Sequence, residues 1–363
     1  MSRAAIAYID VNALKHNYFR LQQLAAGRTI LAMIKSNGYG HGLLRVANVL
    51  HAADAFGVAC VEEAIALREG GIKQTIVVMS GFCDETELSQ FVEYNLAAVV
   101  HRPDQIAALQ KKYLPKPLQV WLKIDTGMNR LGFPVDQAHA LFAQLQHCES
   151  VKQPVGLMTH LADADNAARQ FTEQQIAQFK KITADLSGPK SIVNSAGLLA
   201  YRQQALADWV RPGIMLYGVS PIPGCCGEEE GLKPVMTLTA ELIAVKHLRK
   251  GDFIGYGCIW QCCEDMPVGI VGMGYGDGYP RHAKNGTPTL VDGKICPLVG
   301  HVSMDMLAID LRANPHAMVG ERVILWGKGL PIEKIAACAN TISYELLCNV
   351  TQRVKFIEND SIE

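Results

Sequence analysis

A lone lysine closes an apolar run at Ile30-Leu31-Ala32-Met33-Ile34-Lys35, and a glycine-punctuated stretch with Tyr39 and His41 follows it. The run reads as a buried strand of a parallel sheet, and the glycine cluster as the loop behind it. A lysine at the inner end of such a strand is either a solvated strand-end charge or a desolvated amine. The second kind, with a lowered pKa, is the chemistry of a Schiff base. Residue type and spacing alone leave both readings open.

Other polar groups fall at matching places. Arg130 lies within Lys123-Ile124-Asp125-Thr126-Gly127-Met128-Asn129-Arg130-Leu131-Gly132. His160 ends an apolar run, Asn194-Ser195 ends another, and Arg211-Pro212-Gly213 ends a third. Taken singly, His160 reads as a core histidine, Arg211 as a strand-end cap and Asn194 as a helix N-cap. Taken together they make a cationic cluster, and the backbone N–H groups near Ser195 and at Gly213-Ile214 suit a phosphate. The run Gly272-Met273-Gly274-Tyr275-Gly276-Asp277-Gly278 lacks the glycine spacing of a dinucleotide fingerprint and has no helix pattern behind it.

These groups need elements to position them. Apolar runs at Thr29–Ile34, Ala55–Ala59, Thr75–Met79, Ala97–Val100, Leu118–Ile124, Val155–His160, Ser191–Asn194 and Trp209–Arg211 alternate with amphipathic stretches. Among these are Glu62–Glu69, Glu85–Tyr94 and Ala167–Asp185. The alternation predicts a (β/α)8 TIM-type barrel, although an open doubly wound sheet would give a similar pattern. After residue 230 short β-like runs take over, at Met236–Val245, Val268–Met273, Thr287–Val291, Ile295–Val299 and Arg322–Trp326. We therefore expect a barrel over residues 11–230 and a mostly β C-terminal domain over 231–363. A strand from residues 1–10 is expected to pack on the latter, and Pro221–Glu230 to link the two domains.

The 363 residues are 49% hydrophobic with a formal net charge of −1, which gives no electrostatic argument for nucleic acid or an anionic membrane. No run is long enough for a membrane span, and Met1–Ile6 lacks a signal-peptide core, so a cytoplasmic location is expected. Eleven cysteines include the adjacent pairs Cys225-Cys226 and Cys262-Cys263 but no CxxC spacing. They read as free thiols, with no metal expected.

The chain resembles the alanine racemases, pyridoxal-phosphate enzymes that interconvert L- and D-alanine. The resemblance runs through the Lys35 segment, Lys123–Gly132, Thr159-His160-Leu161-Ala162, Asn194-Ser195-Ala196-Gly197 and Arg211–Gly218. It continues through Gly255-Tyr256-Gly257, Gly274–Arg281, Val302-Ser303-Met304-Asp305-Met306 and Ile342–Cys348. It implies that Lys35 carries pyridoxal 5'-phosphate as a Schiff base and serves as one of two bases. Tyr256 of the other subunit of a homodimer would be the opposed base. Arg211 would face the ring nitrogen, with His160 supporting it. Tyr39, Asn194, Ser195, Gly213, Ile214 and Tyr344 would hold the cofactor, mainly through its phosphate. Arg130, Met304 and Asp305 would hold the substrate, and Lys123 stands where many members carry a carbamylated lysine.

The implied role is the supply of D-alanine for peptidoglycan. Serine or broad-specificity racemisation, a barrel-type decarboxylase and a non-catalytic cofactor carrier are the alternatives. Ser36 and Gly38 stand where the family more often has alanines, and His301 where arginine is common.

Overall fold

The computed structural model describes residues 5–166 and 170–359. It divides into two compact units, one formed by Tyr18–Leu216 with Pro221–Pro223, the other by Met1–Asn17, Tyr217–Ser220 and Gly224–Glu363.

The first unit is built on eight strands: β1 (Thr29–Met33), β2 (Ala55–Val58), β3 (Thr75–Val78), β4 (Ala97–Val100), β5 (Leu118–Asp125), β6 (Val151–Met158), β7 (Lys190–Asn194) and β8 (Trp209–Arg211). Each pairs in parallel with the next, and β8 pairs back onto β1, so the sheet closes. Closure selects the barrel over the open sheet that the alternation alone allowed. The predicted strands all form, with ends displaced by a few residues. Ile34, for example, lies beyond β1, yet its N–H still bonds the Gly57 carbonyl at 2.9 Å.

The strands are near-continuous Val, Ile, Leu and Ala because both faces are covered. Residues such as Ile30, Leu31, Val77, Val78, Ala98 and Leu122 have essentially no exposed surface. Gly156 on β6 makes room for Trp121, whose ring atoms would lie 2.4 Å from a Cβ there. Trp121 in turn meets Trp209 edge-on at 5.1 Å.

The helices turn one apolar stripe inward. Val61–Glu69 buries Val61, Ala64 and Leu67 at helical spacing. Glu85–Glu93 begins where Asp84 accepts from the Thr86 and Glu87 N–H groups. The helix expected over Ala167–Asp185 spans Phe171–Ile182, and residues 167–169 of that range lie outside the described residues.

The second unit carries an antiparallel sheet of β9 (Met236–Leu248), β10 (Met266–Val271), β11 (Leu307–Asp310) and β12 (Arg322–Trp326). β9 is central, pairing with β10 and β12, and β10 pairs with β11. The N-terminal strand Ile6–Asp10 adds antiparallel to β9 and parallel to the C-terminal strand Lys355–Asn359. Of the Thr287–Val291 run only Leu290–Val291 is strand, and Ile295–Val299 splits into two short strands around Cys296-Pro297. Asp292 and Gly293, both at positive φ, turn the chain between Val291 and Lys294 as a tight hairpin requires. The stretch read as a linker is partly built in, because Gly227–Glu230 forms a 3-10 turn and Glu333 accepts from the Ser220 and Gly227 N–H groups.

Candidate active site

Beyond β1 the chain does something unusual. Lys35 begins a turn in which Ser36, Asn37, Gly38 and Tyr39 all have positive φ, between 50° and 62°. For the three non-glycine residues this costs about 1–2 kcal/mol each. Side chains brace the turn. Asn37 accepts from the Leu43 N–H at 2.9 Å, and Glu63 accepts from the Asn37 and Ala59 N–H groups. Backbone held this far from its preferred basins marks a place where side-chain position matters.

Ser36 and Gly38, alike as small residues in the sequence, differ here. Ser36 is exposed, whereas Gly38 is buried, and a Cβ on it would sit 2.9 Å from Val46. His41 is fully buried, with Nδ1 bonded to the Tyr39 carbonyl at 2.9 Å. Burial pushes its imidazole down to about 4, so it stays neutral and serves to hold the turn.

At the same end of the barrel, β8 presents Arg211, which is 2% exposed. Its NH2 donates to the Thr159 carbonyl at 2.6 Å, the Ile192 carbonyl at 3.2 Å and His160 Nδ1 at 3.3 Å, while NH1 donates to Ser191 Oγ at 2.6 Å. These bonds leave the Nε hydrogen uncommitted. A guanidinium only donates, so His160 Nδ1 must accept and the imidazole proton sits on Nε2. Burial, followed by the charges of Arg211, Lys123, Arg130 and Lys35, holds His160 well below the usual histidine range. Burial also lowers Arg211, to about 10, which leaves it charged at neutral pH.

Lys123 on β5 is the second buried cation. Burial first, then Arg211 and Arg130, push its ammonium down to about 8, with Asp125 opposing. Lys35, Lys123, Arg130, His160 and Arg211 thus share one electrostatic environment. Asp125 also fixes the loop after β5, accepting from the Gly127 and Asn129 N–H groups, and Arg130 on that loop is exposed.

Between β7, β8 and the Lys35 turn, hydroxyls and backbone N–H groups converge. Asn194 caps the helix Ser195–Ala200 by accepting from the Gly197 N–H at 3.0 Å. Ser195 Oγ accepts from the Gly213 N–H at 2.9 Å and keeps its own hydrogen to donate. A Cβ on Gly213 would lie 2.4 Å from the Tyr39 hydroxyl, so that hydroxyl rests over bare backbone. Ile214 follows directly and is buried.

One residue here escaped sequence reasoning. Gln175, 1% exposed, donates to Thr126 Oγ1 and to the His160 carbonyl and accepts from the Ala162 N–H. Thr126 and Thr159 join the same network at 2.8 Å. A glutamine among helical polar residues gives no signal in the sequence that it will be buried.

The other residues that the resemblance names lie in the second unit. Tyr256 is 70% exposed on a short 3-10 turn flanked by Gly255 and Gly257 at positive φ, beside which His301 packs. Met304 and Asp305 are exposed, and Tyr344 is half-buried in the helix Ser343–Cys348. Asp305 is held by Arg353, which also pairs with Asp277 at 3.2 Å. Asp277 is itself 1% exposed and accepts from the Gly274 N–H. No sequence signal links Arg353 to this loop.

The arrangement can therefore anchor a carbonyl compound on an amine, hold an oxyanion group near Ser195 and Gly213, and donate without protonating from Arg211. Known proteins resemble the chain over nearly its whole length. Residues 9–221 match the family profile of the alanine racemase N-terminal domain, and residues 235–358 that of the C-terminal domain. The chain is 59% identical over 363 residues to an alanine racemase of Coxiella burnetii (strain RSA 493 / Nine Mile phase I), covering 99% of each protein. It is 47% identical over 348 residues to one of Shewanella loihica, covering 96% of this chain and 97% of that one. Among solved structures it superposes on the biosynthetic alanine racemase from Pseudomonas aeruginosa with a TM-score of 0.95 at 40% identity, covering 98% and 99% of the two chains. It superposes on the Bartonella henselae alanine racemase with covalently bound pyridoxal phosphate with a TM-score of 0.87 at 29% identity, covering 98% and 99%.

Proposed function

The chain belongs to the alanine racemase family and is an isomerase of that kind; from this premise we propose that it racemises alanine by a two-base mechanism with pyridoxal 5'-phosphate as cofactor. The observation that carries the reading is Arg211, a buried cation whose bonds to Thr159, Ile192, Ser191 and His160 fix its guanidinium as a pure donor. When bound, pyridoxal phosphate withdraws electrons and stabilises negative charge at the substrate α-carbon. Arg211 can hold the ring nitrogen but cannot give it a proton, which limits how far charge spreads and favours return of the proton to the α-carbon.

Each remaining residue has a specific task. Lys35, on its braced turn, anchors the cofactor and then moves a proton on one face of the α-carbon. Tyr256 moves a proton on the opposite face, reaching in from the other subunit of a homodimer. Its 70% exposure, with exposed Met304 and Met306 on the same unit, supports a surface that is completed by a partner. Opposed groups are what racemisation requires, since a single base would return the proton to the side it left. Tyr39, Ser195, Gly213, Ile214 and Tyr344 bind the phosphate, with Asn194 capping the helix start behind it. Arg130 binds the substrate carboxylate, and Met304 and Asp305 close the pocket around it to a methyl-sized side chain.

Lys123 completes the cluster as a carbamate. Its neutral amine adds carbon dioxide, forming an N–C bond and releasing a proton, and the resulting anion is matched by Arg130 and Arg211. The lowered pKa of Lys123 supports this, because a fraction of the amine is neutral near pH 7. The reaction belongs in the cytoplasm, where its D-alanine would feed peptidoglycan precursors. No helix among the described residues is long and apolar enough to cross a membrane.

A coupled D-amino-acid oxidase assay across L-alanine, L-serine and L-lysine tests the reading. Signal dominated by alanine is expected, and consumption of lysine with release of carbon dioxide would overturn it. Borohydride should fix the cofactor on Lys35, and a modified peptide elsewhere would remove Lys35 from its role.

A further inference from the structure

At the N-terminal ends of β3, β4 and β5, the opposite end of the barrel from Arg211, a cavity of about 130 Å³ is ringed by Arg68, Lys73, Lys116 and Lys152. Among the described residues no carboxylate lines it. Arg68 is half-buried and spends its donors on backbone carbonyls: Nε on Tyr94, NH1 on Ile72 and Gln74, each at 2.8 Å, and NH2 on Asn95 at 3.0 Å. Lys116 Nζ donates to the neutral amide of Asn95 at 3.1 Å. Carbonyls and amides orient these groups but cancel none of their charge.

Elsewhere several cations do have an acid beside them. Arg312 lies between Asp310 and Glu264, Arg353 between Asp277 and Asp305, and Lys111 beside Glu85. Four cations around one concavity, with no acid among its lining residues, create a local positive potential that attracts an anion. Burial lowers the Arg68 pKa with no acid opposing it, which agrees with that picture.

We propose that this pocket binds a compact polyvalent phosphate of the diphosphate class. Arg68 supplies a fixed charge at the inner wall, and the exposed Lys73, Lys116 and Lys152 close on the anion as mobile donors. A monovalent carboxylate would leave most of the positive charge unmatched, whereas a diphosphate fits both the charge and the small volume.

The test titrates inorganic pyrophosphate into cofactor-saturated protein at constant ionic strength, read by calorimetry and by Tm. Saturable binding with a rising Tm is expected. The triple variant Lys73→Gln, Lys116→Gln, Lys152→Gln should lose affinity at least about tenfold with racemase activity unchanged. Lys116→Glu alone, a single exposed charge reversal, should weaken binding in the same direction. An affinity that neither variant alters, or a Tm shift reproduced by sodium chloride at matched ionic strength, overturns the proposal. ADP as a second arm separates the sources of the ligand. Displacement of pyrophosphate by ADP assigns the pocket to a nucleotide, and pyrophosphate binding that ADP leaves untouched assigns it to the free anion; both outcomes uphold the site.

Discussion

Arg211 NH2 lies 3.3 Å from His160 Nδ1, a cation donating to an imidazole that its own charge helps to keep neutral. The pair is stable because the guanidinium is also tied to two backbone carbonyls and Ser191. Arg211→Lys keeps the charge but cannot reach all four partners. We expect kcat to fall about 100-fold, the scale set by losing one aligned donor at a reacting group. The denaturation midpoint should also drop, since each stranded buried carbonyl costs about 1–3 kcal/mol. Wild-type kcat in the variant would show that the fork geometry is dispensable.

Gly213 matters for space rather than for backbone freedom. A methyl group there would press into the Tyr39 hydroxyl at 2.4 Å. Gly213→Ala should weaken cofactor binding about tenfold, equivalent to about 1.4 kcal/mol, by fluorescence titration. Adding Tyr39→Phe to remove the hydroxyl should recover part of that loss. A double variant no better than Gly213→Ala would place the damage elsewhere.

Gln175 acts through His160. Gln175→Leu keeps the bulk but strands the His160 carbonyl and the Ala162 N–H, and leaves Thr126 with Thr159 alone. Stability should fall by about 1–3 kcal/mol in urea unfolding. Because the loop carrying His160 loosens, kcat should fall more than KM changes. A variant of wild-type stability would mean that these groups find other partners.

Lys123 gives a signed pH effect in carbon-dioxide-depleted buffer. Its folded value is about 8, against about 10.4 for an unperturbed lysine. Between those values the unfolded chain binds more protons, so the folded state gains stability as pH rises. Across the full window the gain is on the order of 3 kcal/mol. The Tm of the unmodified protein, measured relative to Lys123→Met, should therefore climb from about pH 8 to about pH 10. A difference that stays flat, or falls, would contradict a desolvated ammonium at this position.

The barrel was legible because most of its strands carry short apolar runs followed by polar residues, as in Ile30–Ile34 before Lys35 and Ala97–Val100 before His101. Closure was not legible, since it rests on Trp209–Arg211 pairing back onto Thr29–Met33, which periodicity does not encode. The cationic cluster could be anticipated from strand ends. The left-handed turn at Ser36–Tyr39 could not, because Val46, Asn37 and Glu63 fix it through tertiary contacts. Gln175 and Arg353 were missed for a related reason. Each looks like a surface residue until the buried groups that need a partner, His160 in one case and Asp277 in the other, are brought to it.

The central claim, two bases on opposite faces, is tested most directly by proton NMR in D2O. Loss of the α-proton signal is followed separately from L-alanine and from D-alanine, in wild type and in Tyr256→Phe. The wild type should exchange both enantiomers and interconvert them. In the variant, exchange should persist from one enantiomer, on the Lys35 face, while exchange from the other and racemisation collapse together. Equal loss from both enantiomers, or undiminished exchange from both, would contradict the assignment of Tyr256 as the opposed base.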